Sequence, residues 1–188
     1  MPSQIIHLAI AKRYLAKHPG VIKNAQRFLD GNVLPDLGAD KGVSHCGVRT
    51  ESRDLIKRNR EKVNPQKFLS DHDMKDDLNR GQYLHLLVDY AFYNDLLHDY
   101  FAAINLEQSS IDMYETTCRD EAYLMQEYGV KHQDSTYATE LLGLSRAWDR
   151  DHARRRAERG EQYRYTILYD LSTLVQFIEK MSDVQFPD

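Results

Sequence analysis

The chain has 188 residues, enough for one ordinary domain with a sizeable core. Acidic and basic residues are interspersed and give a formal net charge of -4, so bulk electrostatics disfavours a stable nucleic-acid complex. No apolar run approaches the roughly twenty residues that span a bilayer, and no basic segment with an apolar stretch opens the chain. We therefore expect a single domain over residues 1–188, without a transmembrane segment, in the cytoplasm.

Apolar residues recur at spacings of three and four along almost the whole chain, and no window alternates as a strand would. Ser3 is placed to cap a first helix from about Gln4 to Lys17. A short second helix through Ala25 to Leu29 is expected to stop at Asp30-Gly31, where an ordered loop begins that continues to about Thr50. The other predicted helices are Glu51 to Val63 and Gln66 to Leu69, both weakly patterned, then Leu78 to Ile104, Ile111 to Tyr128, Ser135 to Arg156 and Tyr163 to Met181. The predicted fold is an all-α, single-domain helical bundle.

His85 and Asp89 stand four residues apart in the strongest predicted helix, so their side chains leave the same face about 6 Å apart. The rest of that face is apolar and includes Leu84, Val88 and Phe92. A carboxylate buried there costs several kcal/mol unless a cation meets it. A divalent metal ion is such a cation, and the pair predicts two of its ligands.

Asp36 and His45 lie in the predicted loop between the second and third helices. Pro35 fixes its own backbone and restricts Leu34, so the Asp36 carboxylate is held on a stiffened segment. Together with His85 and Asp89, these side chains offer two imidazoles and two carboxylates. Nitrogen and oxygen ligands of this kind suit zinc, and manganese, iron or nickel are also compatible.

His7 lies on the inner face of the first predicted helix and can bring a further imidazole to the same place. If Asp89 bridges with one oxygen to each ion, His7 serves a second metal. The only cysteines, Cys46 and Cys118, form no CxxC motif, which indicates neither a disulfide framework nor a thiolate zinc site.

Each of these elements also has a structural interpretation. A single histidine on an apolar face is more often a hydrogen-bonded core residue than a ligand. A Pro-Asp pair is more often a turn or a helix cap, and HxxxD on a helix also occurs by chance. The metal interpretation depends on the elements occurring together and in order.

Four elements follow one another along about half of the chain, from Ile5 to Tyr93. They are the early His7, Gly31 to Asp36 as GxxxPD, Ser44-His45, and Gly81 to Asp89 as a GxxxHLxxD-like helix. This order resembles the zinc-dependent phospholipase C family, whose superfamily includes the zinc-dependent single-strand nucleases. The resemblance implies an all-helical fold with one zinc held at Asp36, His45, His85 and Asp89. It also implies that Asp89 bridges to a neighbouring zinc bound at His7.

The chain also departs from that family. Secreted members use the amino group of a processed N-terminus as a ligand, whereas this chain begins with Met1-Pro2 and shows no signal to remove. The family's HxxxE pair is missing after the HxxxD helix, and Arg156 stands four residues after His152. We therefore expect one or two metal ions rather than three. Asp95 and Asp99 can complete a second site or lie on a solvated face.

A rival metal motif is His72-Asp73, which is similar to the doublet of the helical HD-domain phosphohydrolases. That doublet normally ends a strongly apolar helix, whereas here it stands among acidic residues after Ser70. Acids that cap a helix N-terminus are the structural alternative.

Two basic segments are candidates for holding phosphate: Arg49, Arg53, Lys57 and Arg58 in one, and Arg154 to Arg156 with Arg159 in the other. The second is interleaved with acids, as on a solvated face.

The function we predict is metal-dependent hydrolysis of a small phosphoester or a phospholipid head group, with Asp36 orienting the attacking water as a general base. The alternatives are a non-catalytic helical scaffold with a structural metal, and an HD-domain-like metal phosphohydrolase.

Overall fold

The computed structural model describes residues 2–48, 55–103, 106–160 and 165–187 of the protein. Within these ranges every regular element is a helix, as predicted, and Cys46 and Val63 form an isolated antiparallel bridge. The helices are α1 (Gln4–Lys17), α2 (Ala25–Leu37), α3 (Lys41–Ser44), α4 (Leu55–Lys62), α5 (Pro65–Asp71), α6 (Asp77–Ala91), α7 (His98–Ala103), α8 (Leu106–Glu127), α9 (Ala138–Arg159) and α10 (Leu171–Met181), with a π-helical turn at Phe92–Leu96 and a 3-10 turn at His132–Asp134.

Helix α1 has the predicted bounds and lies inside the molecule. The Ser3 hydroxyl accepts a hydrogen bond from the Ile6 amide, and His18 ends the helix by donating its own amide to the Tyr14 carbonyl. Residues 5–11 are all buried, so this helix is surrounded by others rather than amphipathic at the surface. The predicted inner-face residue His7 is therefore in the core.

Helix α2 continues eight residues beyond the predicted end at Leu29, which corrects the expectation of a loop from Gly31. Gly31 lies inside the helix, at the point where α2 touches α6. A Cβ at Gly31 would lie 2.1 Å from the Leu78 carbonyl oxygen of α6. A Cβ on Gly81 would likewise lie 2.1 Å from the Phe28 carbonyl oxygen of α2. The two glycines thus let the backbones of α2 and α6 touch. Pro35 lies in the last turn of α2, where it lacks the amide that would bond to the Gly31 carbonyl, and the helix ends two residues later at Leu37.

The long helix predicted from Leu78 to Ile104 is interrupted. Helix α6 ends at Ala91, and the π-helical turn follows, with the Leu97 amide bonded to the Phe92 carbonyl at 3.0 Å. Helix α7 then runs to Ala103, and Ile104 is outside the described residues. The π-helical turn begins three residues after Asp89, and α4 packs against both this turn and α7.

The C-terminal helices agree with the predicted ones in order, with shifted ends. The α10 N-terminus moves from Tyr163 to Leu171, because the Asp170 side chain caps the helix by accepting from the Thr173 amide at 2.7 Å. Residues 165–170 are not helical, and Tyr163 itself is not described. The two weakly patterned helices are present as α4 and α5.

Helices α1, α2, α6, α8 and α10 share one large cluster of buried apolar side chains. Its fully buried members include Ile6, Phe28, Leu84 and Ile178. No helix among the described residues is both long enough and apolar enough to cross a membrane.

Candidate metal centre

The five predicted metal ligands lie together inside the bundle. His7 comes from α1, Asp36 from α2, His45 from the end of α3, and His85 with Asp89 from α6. All five are buried, and Asp36 is the most exposed at 4%. The close contact of α2 with α6 at Gly31 and Gly81 sets the separation between Asp36 and the α6 pair.

Asp89 is the centre of the cluster, with imidazoles from three helices around it. Its Oδ1 lies 3.3 Å from His7 Nε2, and its Oδ2 lies 3.2 Å from His45 Nε2 and 3.7 Å from His85 Nε2. The His7 and His85 rings stack with their centroids 3.9 Å apart. A carboxylate with an imidazole on each oxygen has the arrangement of a bridging ligand.

His45 is positioned by the short helix α3 and by the chain that follows it. Asp40 caps α3 by accepting from the amides of Gly42 and Val43, and the Ser44 hydroxyl contacts His45 Nδ1 at 2.9 Å. The His45 carbonyl accepts from the Asn64 amide at 3.0 Å. These contacts leave Nε2 of His45 directed at Asp89 and, at 3.9 Å, at Asp36 Oδ1.

The protonation state of His85 follows from its partner. Its Nδ1 lies 2.8 Å from the Asn32 carbonyl oxygen, which can only accept, so Nδ1 carries the proton. Burial first, and then neighbouring His7, lower the pKa of His85 to about 3, so its Nε2 holds a free lone pair at neutral pH. A histidine whose second nitrogen donates to a backbone carbonyl is the usual form of a metal-ligating histidine.

Several buried polar atoms of the cluster make no hydrogen bond. They are both ring nitrogens of His7 and both carboxylate oxygens of Asp89. Each such atom costs about 1–3 kcal/mol when it stays unpaired. Two groups of three, His7 with His85 and Asp89, and Asp36 with His45 and His85, each bring one donor atom per residue within 4.8 Å of one another. These groups can hold a metal ion.

Both carboxylates are held ionised although they are buried. Burial opposes ionisation of Asp89, but the surrounding imidazoles, His85 first, outweigh it and keep the pKa of Asp89 well below its usual range. The pKa of Asp36 is lowered in the same way. Lys41 is a cationic side chain in direct contact with Asp36, and Lys62 also interacts electrostatically with both carboxylates.

Four residues at the centre were missed in the sequence. Lys41 Nζ donates to the Asp36 carbonyl and, at 3.2 Å, to Asp36 Oδ1. Asn32 orients His85, and Lys62 lies 5.8 Å from the centroid of the buried Tyr93 ring. Burial, followed by the charges of the two carboxylates, raises the pKa of Tyr93 well above its ordinary value, so it stays a neutral phenol. Asn32 acts on His85 through its backbone carbonyl, so no side-chain pattern in the sequence marks it.

Asp36 and Lys41 also line a cavity of about 100 Å³. Its other walls include the aromatic rings of Tyr114 and Trp148 and the side chain of Glu121. Asp36 is therefore the ligand candidate that a small molecule can approach.

The rival doublet His72-Asp73 is exposed and belongs to neither group of candidate metal ligands found among the described residues. The His72 ring stacks on Phe68, and Asp73 accepts from the Lys75 amide. Asp76 caps α6 at the Leu78 amide, which agrees with the structural alternative for these acids.

The other predicted metal or phosphate residues are dispersed. Asp95 pairs with Lys180, and Asp99 contacts His98 at the surface. Arg154 and Arg155 pair with Asp151, as expected for a solvated face. In the first basic segment, Lys57 is exposed, Arg58 is half-buried, and Arg49 and Arg53 lie outside the described residues.

A scan against protein-family models and searches of curated proteins and of solved structures found no match to this chain.

Proposed function

We propose that this protein is a metal-dependent phosphoester hydrolase similar to the zinc-dependent phospholipases C. The observation that carries the proposal is the buried cluster of three imidazoles and two carboxylates, with unpaired donor atoms on His7 and Asp89 and with Asp36 at a cavity. The order of these residues along the chain and the all-helical fold support the same class.

Zinc suits the donor set, because nitrogen and carboxylate oxygen are its common ligands in the absence of thiolate. His45, His85 and Asp36 would hold one ion, and His7 with Asp89 a second. A bound ion of this kind supplies Lewis-acid chemistry by lowering the pKa of a coordinated water toward 7. The missing HxxxE pair leaves one or two ions as the proposed stoichiometry.

Other roles in the proposed reaction belong to individual side chains and backbone groups of the protein. Asp36 is ionised and reaches the cavity, so its carboxylate can accept a hydrogen bond from the attacking water and orient it. Lys41 fixes the Asp36 side chain through Oδ1. Asn32 keeps the His85 ring in the tautomer that presents Nε2. The stacked, fully buried rings of His7 and His85 exclude bulk water from the inner side of the centre.

The test is hydrolysis of a chromogenic phosphodiester by purified protein. We expect turnover that requires zinc or manganese and stops when a chelator is added. Choline or ethanolamine phospholipids should compete if the phospholipase branch is the closer relative, and single-stranded oligonucleotides if the nuclease branch is. Failure of every phosphoester, with metal demonstrably bound, would contradict the proposal.

A second candidate is a helical scaffold with a structural metal, and the burial of the centre favours it: His7, His85 and Asp89 have no exposed surface. A structural ion would raise the thermal stability of the protein without supporting any turnover. Measuring the melting temperature and the turnover rate on the same metal-loaded sample separates the two candidates. The HD-domain alternative loses support, because His72 and Asp73 are exposed.

A further inference from the structure

A second cavity, of about 420 Å³, lies beside the metal centre between α3 and α4. Lys41, Arg58 and Lys62 bring three cationic side chains to its walls, and Asp40 is the one acidic lining residue among those that the structure describes. The space is far larger than the roughly 30 Å³ of one water molecule.

The chain around His45 fixes the position of α4 at this cavity. The Val48 amide donates to the Glu61 carbonyl at 2.9 Å, and the Asn64 amide to the His45 carbonyl at 3.0 Å. A Cβ on Gly47 would lie 2.1 Å from the Lys62 carbonyl oxygen, so the two segments are in direct backbone contact. The cavity is therefore built on the same framework as the metal centre.

The described lining of the cavity is more cationic than acidic. Arg58 and Lys62 are four residues apart on one helix face, and neither forms an ion pair within the described part of the chain. Asp40 is occupied as the cap of α3. Burial lowers the pKa of Lys62, the charges of Asp89 and Asp36 oppose this shift, and the charges of Arg58 and Lys41 add to it. Lys41 is already paired with Asp36, so Arg58 and Lys62 are the two cations left to attract a bound anion.

We propose that this cavity, defined by Lys41, Arg58 and Lys62, binds a second, terminal phosphate group of the substrate. Lys41 connects the two sites, because its Nζ lines the cavity and also contacts Asp36 Oδ1 at 3.2 Å. A substrate held here would carry one phosphoester at the metal centre and one phosphomonoester in the cavity. The substrate assignment rests on the proposed function, whereas phosphate binding by the cavity does not.

The first experiment is titration of the full-length protein with inorganic phosphate by calorimetry, once with zinc and once with chelator. Phosphate bound only at a metal would be lost on chelation, whereas phosphate bound in the cavity remains. We expect Lys62→Met and Arg58→Gln each to weaken the chelator-resistant binding by at least about tenfold, as for loss of a charge-assisted hydrogen bond. Lys67→Met, at an exposed lysine outside this cavity, is the matched control.

Arg58→Gln provides a second variant if Lys62→Met does not fold. Circular dichroism verifies that each variant keeps its helical fold. The proposal is supported if the protein still binds phosphate in chelator, if both α4 variants weaken that binding, and if Lys67→Met leaves it unchanged. The proposal is overturned if phosphate binding disappears when the metal is removed. It is also overturned if Lys67→Met weakens phosphate binding as much as Arg58→Gln does. Neither result depends on turnover, so failure of the hydrolase proposal remains distinguishable.

If turnover is present, the substrate preference gives a second readout. A chromogenic phosphodiester with an additional terminal phosphate should have a lower KM than the same diester without it. Arg58→Gln should remove that advantage and leave the KM of the plain diester unchanged. Equal KM values for the two diesters in the wild-type protein would contradict the assignment of a second phosphate.

Discussion

His45 and His85, forty residues apart in the chain, direct their Nε2 atoms at each other across 3.2 Å. Because His85 donates its Nδ1 proton to Asn32, its Nε2 presents a lone pair to the second ring nitrogen. Two imidazole nitrogens held at this distance by separate helices are a natural pair of ligands for one cation.

We expect His85→Ala and His45→Ala each to lower metal affinity by at least about tenfold, since even residues behind a ligand cost that much when removed. Elemental analysis of the purified variants measures this. The controls are His72→Ala and His132→Ala, at residues outside the cluster, which should keep the wild-type metal content. If His72→Ala strips the metal and His85→Ala leaves it, the HD-domain interpretation is correct.

The glycine contact between α2 and α6 gives a stability prediction. Gly81→Ala places a methyl group where the Phe28 carbonyl oxygen is 2.1 Å away, and backbone cannot move aside as a flexible side chain can. We expect a loss of at least about 2 kcal/mol in the free energy of unfolding, measured by urea denaturation. Metal affinity should fall as well, because Asp36 is on α2 and Asp89 is on α6.

Gly143→Ala is the matched control for that substitution. Gly143 lies within α9, and a Cβ there meets nothing within 4 Å. This variant should be stabilised by about 0.5–1 kcal/mol, as for a glycine replaced inside a helix. Equal effects of the two substitutions would show that the α2–α6 backbones are not in contact.

Asp36→Asn keeps the shape of the side chain and removes its charge. If Asp36 orients the attacking water, the turnover rate should fall by at least about a hundredfold at saturating metal. Asp99→Asn, at an exposed carboxylate, should leave the rate unchanged. Steady-state kinetics with a phosphodiester substrate measures the turnover rates of both variants. A wild-type turnover rate in Asp36→Asn would show that Asp36 does not orient the attacking water.

The lowered pKa of His85 makes the stability of metal-free protein dependent on pH. The unfolded chain takes up a proton near the ordinary pKa of 6.5, and the folded chain does so only at about 3. Protonation of His85 therefore does not affect the free energy of unfolding above pH 6.5. As the pH falls from 6.5 toward 3, that free energy decreases by at most about 1.4 kcal/mol per pH unit. Urea unfolding in chelator measures the slope. His85→Gln should be flatter over the same range, and equal slopes would contradict the assigned pKa.

The sequence predicts the helical class because periodicity reports burial along each helix, and α1 begins and ends where Ser3 and His18 indicate. It misplaces the end of α2, because Gly31 and Pro35 are typical helix breakers, whereas Gly31 here lies inside the helix at its contact with α6. The π-helical turn after Ala91 was not predicted either, since the residues 92–96 continue an apolar helical pattern.

Spacing and order along the chain indicate five candidate ligands, and the structure brings all five together. Lys41, Asn32, Lys62 and Tyr93 were not found, because their relation to the centre is tertiary. Lys41 reaches Asp36 only when α3 folds back on α2, and Lys62 depends on the pairing of residues 45–48 with the end of α4.

The metal content of the purified protein tests the central claim most directly. Elemental analysis of the protein as isolated, and again after chelation and exposure to zinc, gives the number of ions per chain. Because Asp36 and Asp89 are buried and ionised beside unpaired imidazole nitrogens, we predict one or two transition-metal ions per chain and a higher melting temperature in the loaded form. Metal-free protein that is fully stable and takes up no added zinc would contradict it.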